Sequence, residues 1–326
     1  MNYAIIGCGL VGKKRLAGLP AGSQLVVACD QDLARAEASV KIAQTGRAVP
    51  DFNQAVADPQ VEAVIVATIN STLAELSAAA IRAGKHVLVE KPGGITVQQI
   101  DELISLARKH NVCVRVGFNH RHHPAFIKAR EIFESGVMGE LMFVRARYGH
   151  GGRVGYDKEW RADPKLSGGG ELIDQGIHLI DLAGCFLGEF TKVEGHTATY
   201  FWNMPVEDNA FLSLQTARGQ TAWLHASCTE WKNLFSFEIY GRHTKLHIEG
   251  LGGSYGVEKL YHYQMKPDMG VPDTKVYEFP GPDESWRNEL MQFEDDIRNN
   301  RTDVRGLEEA KAALAVVEHI YKQNRT

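Results

Sequence analysis

Two ionisable side chains set four residues apart, Asp174 and His178, stand in the stretch Gly170-Glu171-Leu172-Ile173-Asp174-Gln175-Gly176-Ile177-His178. Helical spacing puts both on one face, with Asp181 continuing the stripe and Leu172, Ile173, Leu179, Ile180 and Leu182 covering the rest. A helix this apolar is buried, so its carboxylate and imidazole need partners. An imidazole that titrates near neutral pH can act as general base toward a hydroxyl. Asp174 would then orient it, raise its basicity or bond a neighbouring hydroxyl. Two other readings compete. One is a satisfied Asp–His hydrogen bond within a core, the other a metal site, for which the motif lacks third and fourth ligands. Asp181 reads as structural.

A second signal lies at the N-terminus, where the apolar run Tyr3-Ala4-Ile5-Ile6 breaks into Gly7-Cys8-Gly9-Leu10-Val11-Gly12. A strand that ends in three spaced glycines and opens a helix is a dinucleotide-binding turn. Its first glycine permits the turn, the second admits a pyrophosphate, and the third lets helix pack on strand. The backbone N–H groups of Leu10 and Val11 begin that helix, where the dipole favours phosphate. The next apolar run, Gln24 to Cys29, ends on Asp30. That position suits an acid bonding the adenosine ribose, which favours NAD over NADP. Lys13, Lys14, Arg15 and Arg35 leave a 2′-phosphate open.

Glu90-Lys91-Pro92 follows the strand His86-Val87-Leu88-Val89, at the edge where doubly wound sheets hold ligands. Pro92 makes the exit a defined turn. An ammonium on Lys91 would meet the nicotinamide edge and bond the reacting oxygen or relay its proton; a solvated lysine is the plain alternative. The run Gly117 to Pro124 carries Asn119, His120, Arg121, His122 and His123. Its histidines lack metal-site spacing, and polar groups touching cofactor and substrate fit better, with Asn119 and Arg121 as candidates. Trp160-Arg161 offers a stacking face and an anion fork for a pyrophosphate, a sugar ring, or a substrate phosphate or carboxylate, or is a surface pair.

The elements that must position these groups fall into two patterns. Up to about residue 120, apolar strands alternate with helical segments such as 73–83 and 97–110, predicting an α/β Rossmann domain with a doubly wound parallel sheet over 1–120. Beyond it, a helix over 124–134, a strand over 141–148, glycine-rich loops, a helix over 171–187 and period-2 segments at 211–214, 221–228 and 235–240 predict an α+β domain over 121–326. Its sheet is open and mainly antiparallel. Two helices, 285–299 and 307–323, complete it. Trp223, Phe235 and Tyr240 are candidates for an exposed interface on that sheet.

The 326 residues are 44% hydrophobic and 23% charged with a net charge of −4, so nothing in bulk charge points to nucleic acid or an anionic membrane. No signal-peptide pattern opens the chain and no run approaches the ~20 apolar residues of a membrane span. The five scattered cysteines suit reduced, buried thiols in a cytoplasmic protein, with no metal site.

Four motifs together resemble the glucose–fructose oxidoreductase / inositol dehydrogenase / rhizopine-catabolism (Gfo/Idh/MocA) family over nearly the whole chain. They are the Gly7-Gly9-Gly12 turn, Gly84 to Pro92, Gly117-Phe118-Asn119-x-Arg121, and Gly169-Gly170-x-x-x-Asp174-x-Gly176-x-His178. The resemblance implies hydride transfer between NAD(H) and a secondary alcohol or ketone of a sugar, cyclitol or nucleotide sugar. It implies Lys91, Asp174 and His178 as the catalytic set, and Thr68, Asn70, Glu90 and Lys91 beside the glycine turn as cofactor-lining residues. It also implies a homodimer or homotetramer built through the second sheet. A redox-neutral NAD-dependent glycosidase and a non-catalytic dinucleotide-binding regulator are the alternatives; a regulator typically loses the lysine or histidine retained here. The chain departs from many members at Thr68-Ile69-Asn70-Ser71-Thr72-Leu73, which lacks the usual proline and histidine, and at Arg15, where histidine is common. Trp160-Arg161-x-Asp163-Pro164 looks like members tied to nucleotide-sugar chemistry.

Overall fold

The computed structural model describes residues 1–324. The chain forms two compact units, one of Met1–Phe118 with Trp286–Lys311, the other of Asn119–Ser285 with residues 312–324. The first unit opens with β1 (Asn2–Ile6), α1 (Leu10–Ala17), β2 (Gln24–Cys29), α2 (Leu33–Ala43), β3 (Arg47–Val49), α3 (Phe52–Val56), β4 (Ala63–Val66), α4 (Asn70–Arg82), β5 (His86–Glu90), α5 (Val97–His110) and β6 (Val114–Gly117). Its six strands are parallel in the order β3-β2-β1-β4-β5-β6. Strand order reverses between β1 and β4, which places the crevice of a doubly wound sheet at their carboxyl ends. Local sequence explains the regular pieces. Thr96 and Gln99 form a capping box that starts α5, Ile100, Leu103, Ile104 and Ala107 form its buried stripe, and Asn111 ends it in the left-handed region.

The second unit contains α6 (Pro124–Glu134), β7 (Leu141–Gly149), α7 (Pro164–Ser167), α8 (Ile177–Leu187), β8 (Phe190–Ala198), β9 (Asn209–Thr216), β10 (Thr221–Ser227), β11 (Leu234–Gly241), β12 (Thr244–Glu249), β13 (Glu258–Gln264) and β14 (Asp273–Phe279). Its eight strands run β14-β13-β12-β11-β7-β10-β9-β8, antiparallel except for the β7–β10 pair. Inward residues such as Val144, Ala146, Leu224, Phe237 and Ile239 are buried, while Phe143 and Trp223 are exposed. Phe235 departs from the expected interface. It is buried against Phe126 and Tyr148 because odd-numbered side chains of β11 point inward with Phe237 and Ile239.

The chain ends in α9 (Ser285–Arg298) and α10 (Arg305–Gln323). Residues 286–311 pack with the first unit, where a single domain over 121–326 would place them in the second. The reason is apolar. Leu290 and Phe293 join Tyr3, Ile5, Leu25, Ile65 and Leu88 in one buried cluster, and Glu294 accepts the Tyr3 hydroxyl at 3.1 Å. A parallel sheet needs both faces covered, and α9 supplies part of that cover. The short β3 and strands β8 and β12–β14 have no distinct local pattern in the sequence. Cys185 is half-buried, unlike the other four cysteines, and all five are free thiols. No helix among the described residues is long and apolar enough to cross a membrane.

Truncating Phe293 to Ala removes the largest α9 contribution to this cluster. It is expected to cost about 3–5 kcal/mol, measured as a lowered urea midpoint by circular dichroism of the full chain.

Candidate active site

In the first unit, sterics account for two of the three glycines. Gly7 has φ 91°, and a Cβ there would collide with the Ala67 carbonyl at the end of β4. A Cβ on Gly12 would strike the Gly7 carbonyl. A Cβ on Gly9 would meet no protein atom within 4 Å. Nothing in this unit demands glycine at position 9, whereas a phosphate seated on the start of α1 would. Leu10 is exposed at that start. The turn is pinned by Gly7 N–H donating to Cys29 O at 2.8 Å and Cys8 N–H donating to Asp30 Oδ2 at 2.8 Å. Asp30 also accepts from Asp32 N–H through Oδ1 at 2.9 Å. Both of its carboxylate oxygens therefore shape the loop. Thr68 accepts from Thr72 Oγ1 at 2.8 Å, and the buried Asn70 begins α4. The glycine turn, the α1 N-terminus, Asp30, Thr68 and Asn70 fit a dinucleotide.

Glu90 ends β5, and Gly93 N–H donates to its carbonyl at 2.9 Å, closing the turn that holds the half-buried Lys91 and a cis Lys91–Pro92 peptide. The Glu90 side chain is itself buried. Oε1 accepts Arg15 Nε at 2.5 Å, while Arg15 Nη1 donates to Glu289 of α9 at 2.5 Å and the guanidinium lies 4.6 Å from the Trp286 ring centre. Arg15 is completely buried. Burial pushes the Glu90 carboxyl up, against the pull of Arg15. The resemblance places Glu90 beside the cofactor; in the structure its Oε1 is paired with Arg15. Arg15 cannot serve a 2′-phosphate from this place. Arg35 is paired with Asp32 at 3.2 Å.

In the second unit the helix expected over 171–187 begins with one π-helical turn, Leu172–Gly176, before α8. Such wide turns concentrate at functional positions. Its start is held by the buried Glu207, whose carboxylate accepts Gly170 N–H at 3.1 Å, Leu172 N–H at 3.0 Å and the Tyr321 hydroxyl at 2.7 Å. A carboxylate at a helix N-terminus satisfies orphan donors and the dipole together. Asp174 accepts Arg161 Nε at 3.1 Å, and that guanidinium rests 4.6 Å from the centre of the Trp160 ring. Arg161 is thus the counter-charge of Asp174, and Trp160 its support. His178 is buried, its ring stacked on His120 at 3.8 Å between centroids. Arg121 makes a two-pronged ion pair with the buried Asp181 through Nε and Nη2. This gives Asp181 the structural role expected of it and occupies the Arg121 fork read as a substrate contact. Asn119 Nδ2 donates to Ser285 Oγ at 2.9 Å.

Sequence reasoning passed over Glu171, Tyr148 and Glu207. Tyr156 OH donates to Glu171 Oε1 at 2.8 Å, and Tyr148 packs against His120, His178 and Tyr255. Burial first, and the neighbouring Asp174 charge second, push the Glu171 carboxyl up to about 8. A charged residue directly after three glycines and before an apolar helix was the available signal for Glu171. Among the described residues no three His, Cys, Asp or Glu side chains are grouped to hold a metal ion.

Comparison with known proteins gives two family matches. Residues 1–118 match the oxidoreductase family with an NAD-binding Rossmann fold, and residues 126–247 match the GFO/IDH/MocA C-terminal domain. Levoglucosan dehydrogenase of Pseudarthrobacter phenanthrenivorans is 28% identical over 67% of this chain and 59% of its own length. Inositol 2-dehydrogenase 2 of Saccharopolyspora erythraea is 29% identical over 67% of this chain and 64% of its own. The match thus spans less than two thirds of either relative. A solved levoglucosan dehydrogenase in complex with NADH and levoglucosan has the same fold, with TM-score 0.86 and 23% identity over 99% of this chain and 98% of that one.

Two variants test the buried charges. Arg15→Met leaves two carboxylates buried without their cation and is expected to cost about 3–5 kcal/mol of stability; Arg15→Met with Glu289→Gln should recover part of that loss in the same urea titration. For Glu171, a raised carboxyl pKa means its stabilising contribution is complete below about 4.5 and is lost as pH rises through about 8. Glu171→Gln should therefore flatten the fall in urea stability across that window, by at most ~1.4 kcal/mol per pH unit.

Proposed function

We propose that this chain, which belongs to the Gfo/Idh/MocA oxidoreductase family, is an NAD(H)-dependent dehydrogenase. Its substrate would be a secondary alcohol or ketone of a sugar, cyclitol or nucleotide sugar. The observation that carries the cofactor half is Gly9, a glycine that no protein atom requires. The catalytic half rests on His178 and, four residues before it, Asp174, which Arg161 keeps paired. Gly9, Leu10 and Val11 would hold the pyrophosphate, Asp30 the ribose, and Thr68 and Asn70 would flank the cofactor. The bound dinucleotide supplies the two-electron chemistry.

In the oxidative direction His178 takes the hydroxyl proton, and Lys91 stabilises the oxygen as negative charge develops on it. Asp174 bonds the imidazole or the adjacent hydroxyl, and the reverse direction uses His178 as acid. NAD is favoured over NADP because two carboxylates, Asp30 and Asp32, stand after β2 while Arg15 and Arg35 are committed to acidic partners. Trp160 and Arg161 are proposed to border the substrate, with Asn119 and Arg121 supporting the site through Ser285 and Asp181. Self-association as a homodimer or homotetramer would use the sheet face that exposes Phe143 and Trp223.

The test is nicotinamide reduction across a panel of sugars, inositols and nucleotide sugars with NAD or NADP. Turnover is expected with at least one class and to be faster with NAD. Lys91→Ala and His178→Asn should each lower kcat by roughly 10²–10⁴-fold. A silent panel in a protein that still binds NADH would overturn the dehydrogenase reading; free sugar release would then identify the glycosidase, and its absence the regulator.

A further inference from the structure

We propose that His120 is a positioning residue that holds the imidazole plane of His178 by stacking. This rests on His178 being the general base. The two rings lie 3.8 Å apart between centroids and 20° from parallel, a face-to-face contact between residues from separate segments of the second unit. His178 is the second residue of α8, directly after the π-helical turn, and His120 lies in the 3-10 turn Asn119–His122.

His120 is itself oriented by a directional chain. Asn119 Nδ2 donates to Ser285 Oγ at 2.9 Å, which leaves Asn119 Oδ1 as the acceptor facing His120 Nδ1 at 3.2 Å. Ser285 Oγ donates in turn to Asp283 Oδ1 at 2.6 Å. The proton of His120 is therefore on Nδ1, and its ring cannot turn without breaking this chain. The remaining walls are rings: Tyr148 at 5.1 Å, Phe235 at 6.1 Å and His123 at 5.7 Å. His123 is anchored at 2.9 Å by Glu258, whose other oxygen accepts Ala125 N–H at 2.7 Å. A base must meet the substrate proton in a narrow angular range, and small misplacements cost large factors in rate. A stacked ring supplies that angular constraint without consuming either nitrogen of His178. It also places a π face against the imidazolium that forms when His178 takes a proton.

His120→Phe keeps a ring and gives up the hydrogen bond, whereas His120→Leu gives up the ring. With a substrate that the wild type turns over, His120→Phe should stay within about threefold in kcat. His120→Leu should fall by roughly 10–100-fold, with its NADH dissociation constant, read by fluorescence, unchanged. Independently of turnover, the ¹H–¹⁵N side-chain resonances of His178 in the free full-length protein should titrate differently in His120→Leu and as in wild type in His120→Phe. Ser285→Ala, which cuts the chain without opening the stack, should lower kcat a few-fold and supplies the test if His120→Leu does not fold. Wild-type kcat and an unchanged His178 titration in His120→Leu would overturn the proposal, as would equal loss in the Phe and Leu variants. Activity retained in His178→Asn would instead overturn the general-base reading beneath it.

Discussion

A guanidinium with no access to solvent governs the nucleotide-binding unit. Arg15 of α1 lies between Glu90, at the end of β5, and Glu289 of α9, and against the Trp286 ring of the same α9, so three separate segments of the chain meet at it. Removing three charges from water carries a large penalty, and only close, well-directed pairing offsets it. The helix that begins at the glycine turn, the strand end that presents Lys91, and the late helix α9 therefore have to meet in one arrangement. Breaking any one of these pairs would leave an uncompensated buried charge. The cluster bears directly on where the Lys91 turn sits.

The second unit manages its buried charges in the same manner. Glu207 closes the start of the helix carrying Asp174 and His178, Arg161 neutralises Asp174, and Arg121 neutralises Asp181. Each pairing removes one electrostatic freedom from the helix. Glu171 is the exception: burial and the neighbouring carboxylate favour its protonated form, so it sits beside Asp174 without adding a second negative charge near neutral pH. Asp174 itself is paired with the Arg161 guanidinium.

Much of this was legible beforehand wherever chemistry and periodicity coincide. The glycine turn, helices α5 and α6 and the Asp174–His178 spacing are local patterns, and local sterics and apolar periodicity are enough to produce them. Strands β12–β14 were missed because half-polar segments such as Glu258–Gln264 are made strands by their neighbours, not by their own composition. The π-helical turn was missed because it inserts no residue type of its own. Residues 286–311 group with the first unit, which the sequence does not declare, because an amphipathic helix shows which face is apolar but not which sheet it covers.

The sequence by itself determined the chemical inventory and the fold class, since a phosphate-accepting turn, a strand-end lysine and an i, i+4 acid–imidazole pair are written in consecutive residues. Only the tertiary structure decided how the charges are spent. Arg15, Arg35 and Arg121 read alike as free cations along the chain, yet Arg15 lies buried between two carboxylates, Arg35 stays at the surface beside Asp32, and Arg121 is locked on Asp181. Which partner a buried charge meets depends on contacts across tens to hundreds of positions, and no local pattern encodes those. The ring stacked on His178 is of the same kind, a contact between residues 58 apart that exists only once the helix and the 3-10 turn have packed.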